Sequence, residues 1–247
     1  MITGKLTGKI IVVAAFAIAM AFLESAVVIY IREIYYPGGF DFPLSPMDPA
    51  IALTELLREA ATLVMLASIG FLLGKRPVEV FAVFLLSFGI WDIFYYVFLK
   101  CLIGWPPSWL TWDVLFLIPV LWSGPVVAPV INSAAMIGLG MMILFFSNQH
   151  RDPNLSGREW GLLIAGAILV YVAYTEEFTR FLLGQLTLAE IFSRNNQEEI
   201  TRLSTLFIPR RFQWWLFVPG CILHGAALAL YVTRGRRERS FKPPESG

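Results

Sequence analysis

The chain has 247 residues, 57% of them hydrophobic and only 15% charged, with a mean hydropathy of +0.68. Soluble domains carry about 25% charged residues, so an ordinary soluble globule and a disordered chain are both excluded. The formal charge of +1 gives no field to gather polyanions, which excludes a nucleic-acid-binding domain, and two cysteines, Cys101 and Cys221, cannot make a disulfide framework.

What remains is a polytopic membrane protein. A crossing helix needs roughly 20 mostly apolar residues. Six runs qualify: 10–31, 50–74, 78–100, 125–147, 159–181 and 212–233. The first begins like a signal peptide, with Lys5 and Lys9 before an apolar run that holds Ala17-Ile18-Ala19. It continues to Ile31, however, which is the length of a span. The stretch 111–147 is too long for one crossing and short for two, and Pro119, Pro125 and Pro129 interrupt it. A seventh crossing would carry Arg234, Arg236, Arg237 and Arg239 to the outer side, against the positive-inside rule. The reading is therefore an all-α bundle of six transmembrane helices with a re-entrant or interfacial helix at about 112–122. Residues 1–233 form one membrane domain, and 234–247 a basic, disordered tail that holds Pro243-Pro244.

Lys and Arg set the orientation. Lys5 and Lys9, Lys75 and Arg76, Arg151 and Arg158, and the basic tail fall on one side of six spans. This predicts a protein of the plasma (inner) membrane with both termini cytoplasmic. His150 then lies in a solvated cytoplasmic loop. The 182–211 segment is an outer surface helix and loop, where Arg194, Arg202, Arg210 and Arg211 are offset by Glu190, Glu198 and Glu199. Trp105, Trp109, Trp112, Trp214 and Trp215 mark the outer interface.

Ionisable residues inside a bilayer cost about 2.5–3.5 kcal/mol each and mark function by default. Glu24, Glu55, Glu59, Asp92 and Glu176 all fall in the outer half under this topology. Helical spacing puts Glu55, Glu59 and Thr62 on one face, Glu24, Val28 and Arg32 on another, and Asp92, Tyr95 and Tyr96 on a third. A single outer-side polar cavity would satisfy all of them. The layer holds seven acids (Glu24, Glu33, Glu55, Glu59, Asp92, Glu176, Glu177) and four bases (Arg32, Arg58, Lys100, Arg180), which leaves three carboxylates without a cation. Those three are solvated, protonated, or neutralised by a bound cation. Wet ends at Glu33, Glu176 and Glu177 would absorb the whole excess, so structural ion pairing and a functional cavity stand as two readings.

The candidate catalytic residues are Glu24, Glu55, Glu59, Asp92, Tyr95 and, in the sixth span, His224. Arg58, Arg32 and Tyr96 are candidates for substrate binding, Arg58 for an anionic head group. Glu55, Glu59 and Asp92 could ligate a divalent metal ion through oxygen, with Glu24 nearby and His224 supplying a nitrogen if its helix faces the same cavity. The duller reading of His224 is a hydrogen bond to a backbone carbonyl. Ser123 lies in a Trp-Ser-Gly-Pro context that reads as a turn rather than as a nucleophile partnered by His224. Cys221 reads as a small packing residue, Gly138, Gly140, Ala134 and Ala135 as close helix packing, and Asn132 as a polar lining residue or an interhelical hydrogen bond.

The run Glu176-Glu177-Phe178-Thr179-Arg180 is similar to the EExxxR motif of the CAAX-type intramembrane proteases over these five residues. Its Arg follows two intervening residues rather than three, which turns it about 100° around the helix. The family's later Phe-xxx-His pattern is absent at His224. A helix-end salt bridge between Glu176 and Arg180 at i, i+4 accounts for the run.

Three functions follow. The first is a membrane-embedded enzyme acting on an amphiphilic, lipid-like substrate by acid–base or metal-assisted chemistry. The second is a proton- or cation-coupled transporter, against which the missing internal repeat counts. The third is a non-catalytic subunit whose aromatic third span packs on a partner. Expected partners are membrane lipids, other membrane proteins or a second copy of the chain.

Overall fold

The computed structural model describes residues 4–149, 151–191, 193 and 196–240. Among them six helices are long and apolar enough to cross a membrane. They are α1 (Gly4–Tyr35), α2 (Pro49–Leu73), α3 (Pro77–Ile103), α4 (Val127–Asn148), α5 (Gly157–Leu183) and α8 (Trp214–Ser240). Two short helices, α6 (Leu188–Ile191) and α7 (Gln197–Ser204), lie between α5 and α8. The all-α membrane bundle of six spans is thus the architecture. His150 and the Pro243-Pro244 end of the tail lie outside the described residues.

Local chemistry sets the ends of the spans. The Asp48 carboxylate caps α2 by accepting from the Ala50 N–H at 2.8 Å, and Pro49 supplies a first-turn residue that needs no N–H partner. α3 also starts on a proline, Pro77, and stops at Gly104, whose φ of +70° is the left-handed conformation that favours glycine. Ser156 and Glu159 form a reciprocal capping box on α5. α8 carries Pro219 inside its second turn.

One segment departs from expectation. Residues 112–122 do not form a re-entrant or interfacial helix. They begin an antiparallel hairpin, β1 (Trp112–Phe116) with β2 (Trp122–Pro125), in which Asp113 stands opposite Gly124 and Val114 opposite Ser123. The physical reason lies in the residues. Pro119 sits in the connection and Pro125 at the strand end, while Trp, Val and Phe at alternate positions of β1 suit a pleat better than a helix. The hairpin packs within the protein rather than on lipid, with Trp122 stacked against Tyr174 and Phe116 against Phe88.

Side-chain contacts fix which ends lie together. Lys9 of α1 pairs with Glu79 of α3 at 3.7 Å, and the Ser147 hydroxyl of α4 donates to Glu79. Arg234 of α8 pairs with Glu159 of α5 at 3.0 Å, and the Arg151 guanidinium donates to the Gly235 carbonyl. Both ends of the described chain therefore sit at one end of the bundle, the terminal end, and the hairpin lies at the other. α8 extends to Ser240, and Arg234 within it also donates to the Asn154 carbonyl at 2.6 Å.

The terminal half is filled by an apolar core of Val13, Ala82, Leu86, Ile143, Phe146 and Tyr231, drawn from α1, α3, α4 and α8. Glycines set the closest crossings. A Cβ on Gly140 of α4 would stand 2.6 Å from the Ala82 carbonyl oxygen of α3, so only a bare backbone fits. Gly138 faces Leu228 at an ordinary 3.5 Å.

Candidate functional site

At the hairpin end, α1, α2, α3, β1 and the loop between α1 and α2 line an open cavity of about 140 Å3, space for a few water molecules at ~30 Å3 each. Its lining includes Glu24 and Arg32 from α1, Glu55, Arg58 and Glu59 from α2, Asp92, Tyr95 and Tyr96 from α3, and Asp113 from β1. The structure thus gathers every sequence-derived candidate except His224 in one place.

The charged side chains are held by specific partners, while Arg32 Nη1, Asp113 Oδ2 and Trp91 Nε1 are buried without a hydrogen-bond partner. Arg58 bridges two helices: its Nε donates to Glu55 Oε2 at 2.8 Å, and its Nη1 pairs with Glu24. Arg32 Nη2 pairs with Asp113 Oδ1 at 3.2 Å. Its guanidinium lies 3.8 Å from the ring centre of Trp105 and 4.5 Å from that of Phe40, a cation–π arrangement that holds a desolvated cation. Glu59 and Asp92 accept instead from neutral groups. The Leu117 N–H donates to Glu59 at 2.9 Å, and the Ser133 hydroxyl of α4 donates to Asp92 at 2.7 Å. The Leu117 bond is a second anchor, beside Arg32–Asp113, that fastens the hairpin over the cavity.

Asp113 was missed in the sequence because a lone acid in a Trp- and Pro-broken stretch carries no helical periodicity. It lies in the hairpin, outside the six spans, and is 2% exposed. Burial pushes its carboxyl up to about 7, although the Arg32 guanidinium pulls the other way.

Three sequence-derived roles change. His224 is not part of the cavity. Its Nε2 lies 3.3 Å from the Leu163 carbonyl, and its ring fills the space beside Gly166 where a Cβ would meet it at 2.5 Å. It packs α8 on α5. Second, Glu55, Glu59 and Asp92 are not drawn together: among the described residues no group of three or more His, Cys, Asp or Glu side chains gathers as metal ligands would. Each of these carboxylates is held by its own donor, Arg58, Leu117 or Ser133. Third, Arg58 is not open to an anionic head group, because Glu24 and Glu55 already neutralise it.

Of the remaining acids of this end, Glu33 is exposed, and Glu176 and Glu177 are tied at the rim. Glu176 pairs with Arg180 and accepts from Gln213 at 2.6 Å, as the helix-end reading of that motif requires. Glu177 accepts from the backbone N–H groups of Arg210 and Arg211. Ser123 is buried in β2, paired with Val114, so the turn reading gives way to a strand.

Below the cavity, toward the terminal end, Ala17, Met20, Ala21, Leu66 and Trp91 form an apolar floor joined by Phe88 and Phe116. On its flanks α1 and α2 both lean on α3 and touch each other little. Comparison with known proteins adds no parallel: no family model, no curated protein and no solved structure matches this chain.

Proposed function

We propose that the cavity receives the polar head of an amphiphile and works on it by acid–base catalysis, with Glu59 and Asp92 as the proton-transferring groups. One observation carries this reading. Five carboxylates (Glu24, Glu55, Glu59, Asp92, Asp113) line one cavity with two guanidiniums, and Glu59 and Asp92 are bonded to neutral donors alone. Carboxylates so placed are the groups whose protonation can change during a reaction. Ion pairs that merely fasten helices have no use for the surplus.

The head group would be neutral and hydroxyl-rich, or cationic. Both arginines are engaged by acids, whereas the free lone pairs of the carboxylates and the faces of Tyr36, Phe40 and Trp91 suit donors and apolar ring or methyl surfaces. The tail would remain in lipid beside Phe22 and Leu23 of α1 and Leu53 and Leu57 of α2, all exposed. The packed core between cavity and terminal end supports an enzyme over a transporter. The same reading places the chain in the plasma (inner) membrane, with both termini cytoplasmic and the cavity in the outer half, from the Lys and Arg distribution.

The test is lipid mass spectrometry on the purified chain in nanodiscs loaded with a total membrane lipid extract. Wild type should deplete one lipid species and form another, and folded Glu59→Gln and Asp92→Asn proteins should do neither. If wild type changes no lipid, while acidification of dye-loaded proteoliposomes requires Asp92, the carboxylates form a proton relay and the enzyme reading falls. Labelling of single cysteines at Ser108 and Asn154 from opposite sides checks the orientation; the reverse labelling would put the cavity in the inner half.

A further inference from the structure

The terminal end carries a second, unrelated concavity. It is a groove of about 660 Å3 where α2 turns into α3, walled by Ala67, Phe71, Val80, Phe81 and Phe84, with Lys75 and Arg76 at its mouth. This volume is within the ~300–1,000 Å3 typical of small-molecule sites. The turn is rigid. A Cβ on Gly70 would stand 2.8 Å from the Val80 carbonyl oxygen, and one on Gly74 would stand 2.5 Å from the Val80 nitrogen. The backbones therefore pack closely, which sets Lys75 and Arg76 beside the apolar wall.

The charge at this mouth is not consumed internally. Glu79 is the nearby carboxylate of α3, and it is taken by Lys9, the Ser147 hydroxyl and the Lys75 backbone N–H. Arg76 adds to the field at Glu79, but its side chain, like that of Lys75, is exposed. Trp160, at the start of α5, packs on Phe81 with ring centres 5.1 Å apart and is 37% exposed. A half-exposed Trp at this depth marks the level of lipid head groups.

We propose that this groove is a binding site for an anionic phospholipid. One acyl chain lies along Phe71, Phe81 and Phe84, and the phosphate sits between Lys75 and Arg76. Charge complementarity selects this occupant: two exposed cations sit above a purely apolar wall, which matches a monoanionic head on a hydrocarbon chain. A zwitterionic lipid would fill the same wall but bring its own cation to a cationic mouth.

The experiment uses the full chain, delipidated in detergent and titrated with phosphatidylglycerol, phosphatidylcholine or inorganic phosphate while Tm is followed. Phosphatidylglycerol should raise Tm saturably, and the other two should not. In the K75Q/R76Q variant the apparent affinity for phosphatidylglycerol should fall by ~30-fold, from two surface cations. An equal response to phosphatidylcholine, or an increment that survives in the variant, overturns the site. So does a response to inorganic phosphate alone, which would make it an anion site without the groove. Photolysis of a diazirine-bearing phosphatidylglycerol on wild type keeps the test independent of the variant's folding. The cross-link should map to residues 67–84, and cross-linking spread evenly over all six spans overturns the proposal.

Discussion

Neutralising a surplus carboxylate and stripping a shared arginine should act on this fold in different ways. Arg58 is 19% exposed and lies between Glu24 and Glu55, which are 11% and 13% exposed. Arg58→Gln leaves two acids facing each other with no cation and cuts a tie between α1 and α2, helices that otherwise touch little. Breaking one partner of a buried pair costs about 3–5 kcal/mol. Asp92→Asn is a smaller change. The Asn carbonyl can still accept from the Ser133 hydroxyl, so the loss is the difference between a charged and a neutral hydrogen bond, about 1 kcal/mol. Relief of repulsion from the other four carboxylates works against even that. Glu59→Gln keeps the Leu117 N–H bond in the same way.

The expected order is therefore a large loss for Arg58→Gln and a change within about 1 kcal/mol, of either sign, for Glu59→Gln and Asp92→Asn. Far-UV circular dichroism in one detergent, with wild type and the three variants side by side, reads this order as Tm. Should Glu59→Gln or Asp92→Asn lose as much as Arg58→Gln, the two acids are structural partners of the arginines. The surplus on which catalysis was argued would then not exist, and a subunit role would take its place.

Two more outcomes follow from the geometry. Asp113 is held near 7 by burial, so the folded protein binds its proton more tightly than the unfolded chain does, and stability falls as pH rises from about 4 to about 7; the Tm of wild type relative to Asp113→Asn should drop across that window, and a flat difference would mean that Arg32 dominates. Gly140→Val should cost about 1–3 kcal/mol by overpacking against the Ala82 carbonyl, whereas Gly138→Ala, facing Leu228 at 3.5 Å, should leave Tm unchanged; equal losses would refute the close α3–α4 crossing.

The spans were legible because hydropathy is a property of composition, whereas the caps at Pro49, Pro77 and Gly104 set the ends locally. The cavity was legible because depth follows from topology and facing follows from helical period. Neither argument reaches a segment without a helix. The alternation Trp112-Asp113-Val114-Leu115-Phe116 has the period of a strand, yet the parity of crossings decided only that this stretch does not span. That Glu55, Glu59 and Asp92 are held apart, and that His224 lies outside the cavity, has a related reason. Shared depth does not bring groups within ligand distance, and the donors that captured these side chains (the Leu117 amide, the Ser133 hydroxyl, the Leu163 carbonyl) are fixed by packing between elements far apart in sequence.

The two ends of the molecule act as controls for each other. At the terminal end charge serves assembly. Glu79 gathers Lys9 and Ser147 to join α1, α3 and α4, and Glu159 gathers Arg234 to join α5 and α8. Two carboxylates suffice there to fasten five spans. The hairpin end has its own fasteners, Arg58 with Glu24 and Glu55 for α1 and α2, and Arg32 with Asp113 for α1 and β1. With those in place the bundle is tied. Glu59 and Asp92 add no cation bridge, yet each carries the desolvation cost of a carboxyl group held inside an aromatic-lined site. Glu59 and Asp92 serve assembly only through neutral hydrogen bonds, to the Leu117 amide and the Ser133 hydroxyl, which uncharged side chains would make as well; the proposed chemistry on a bound head group would give their charge a use.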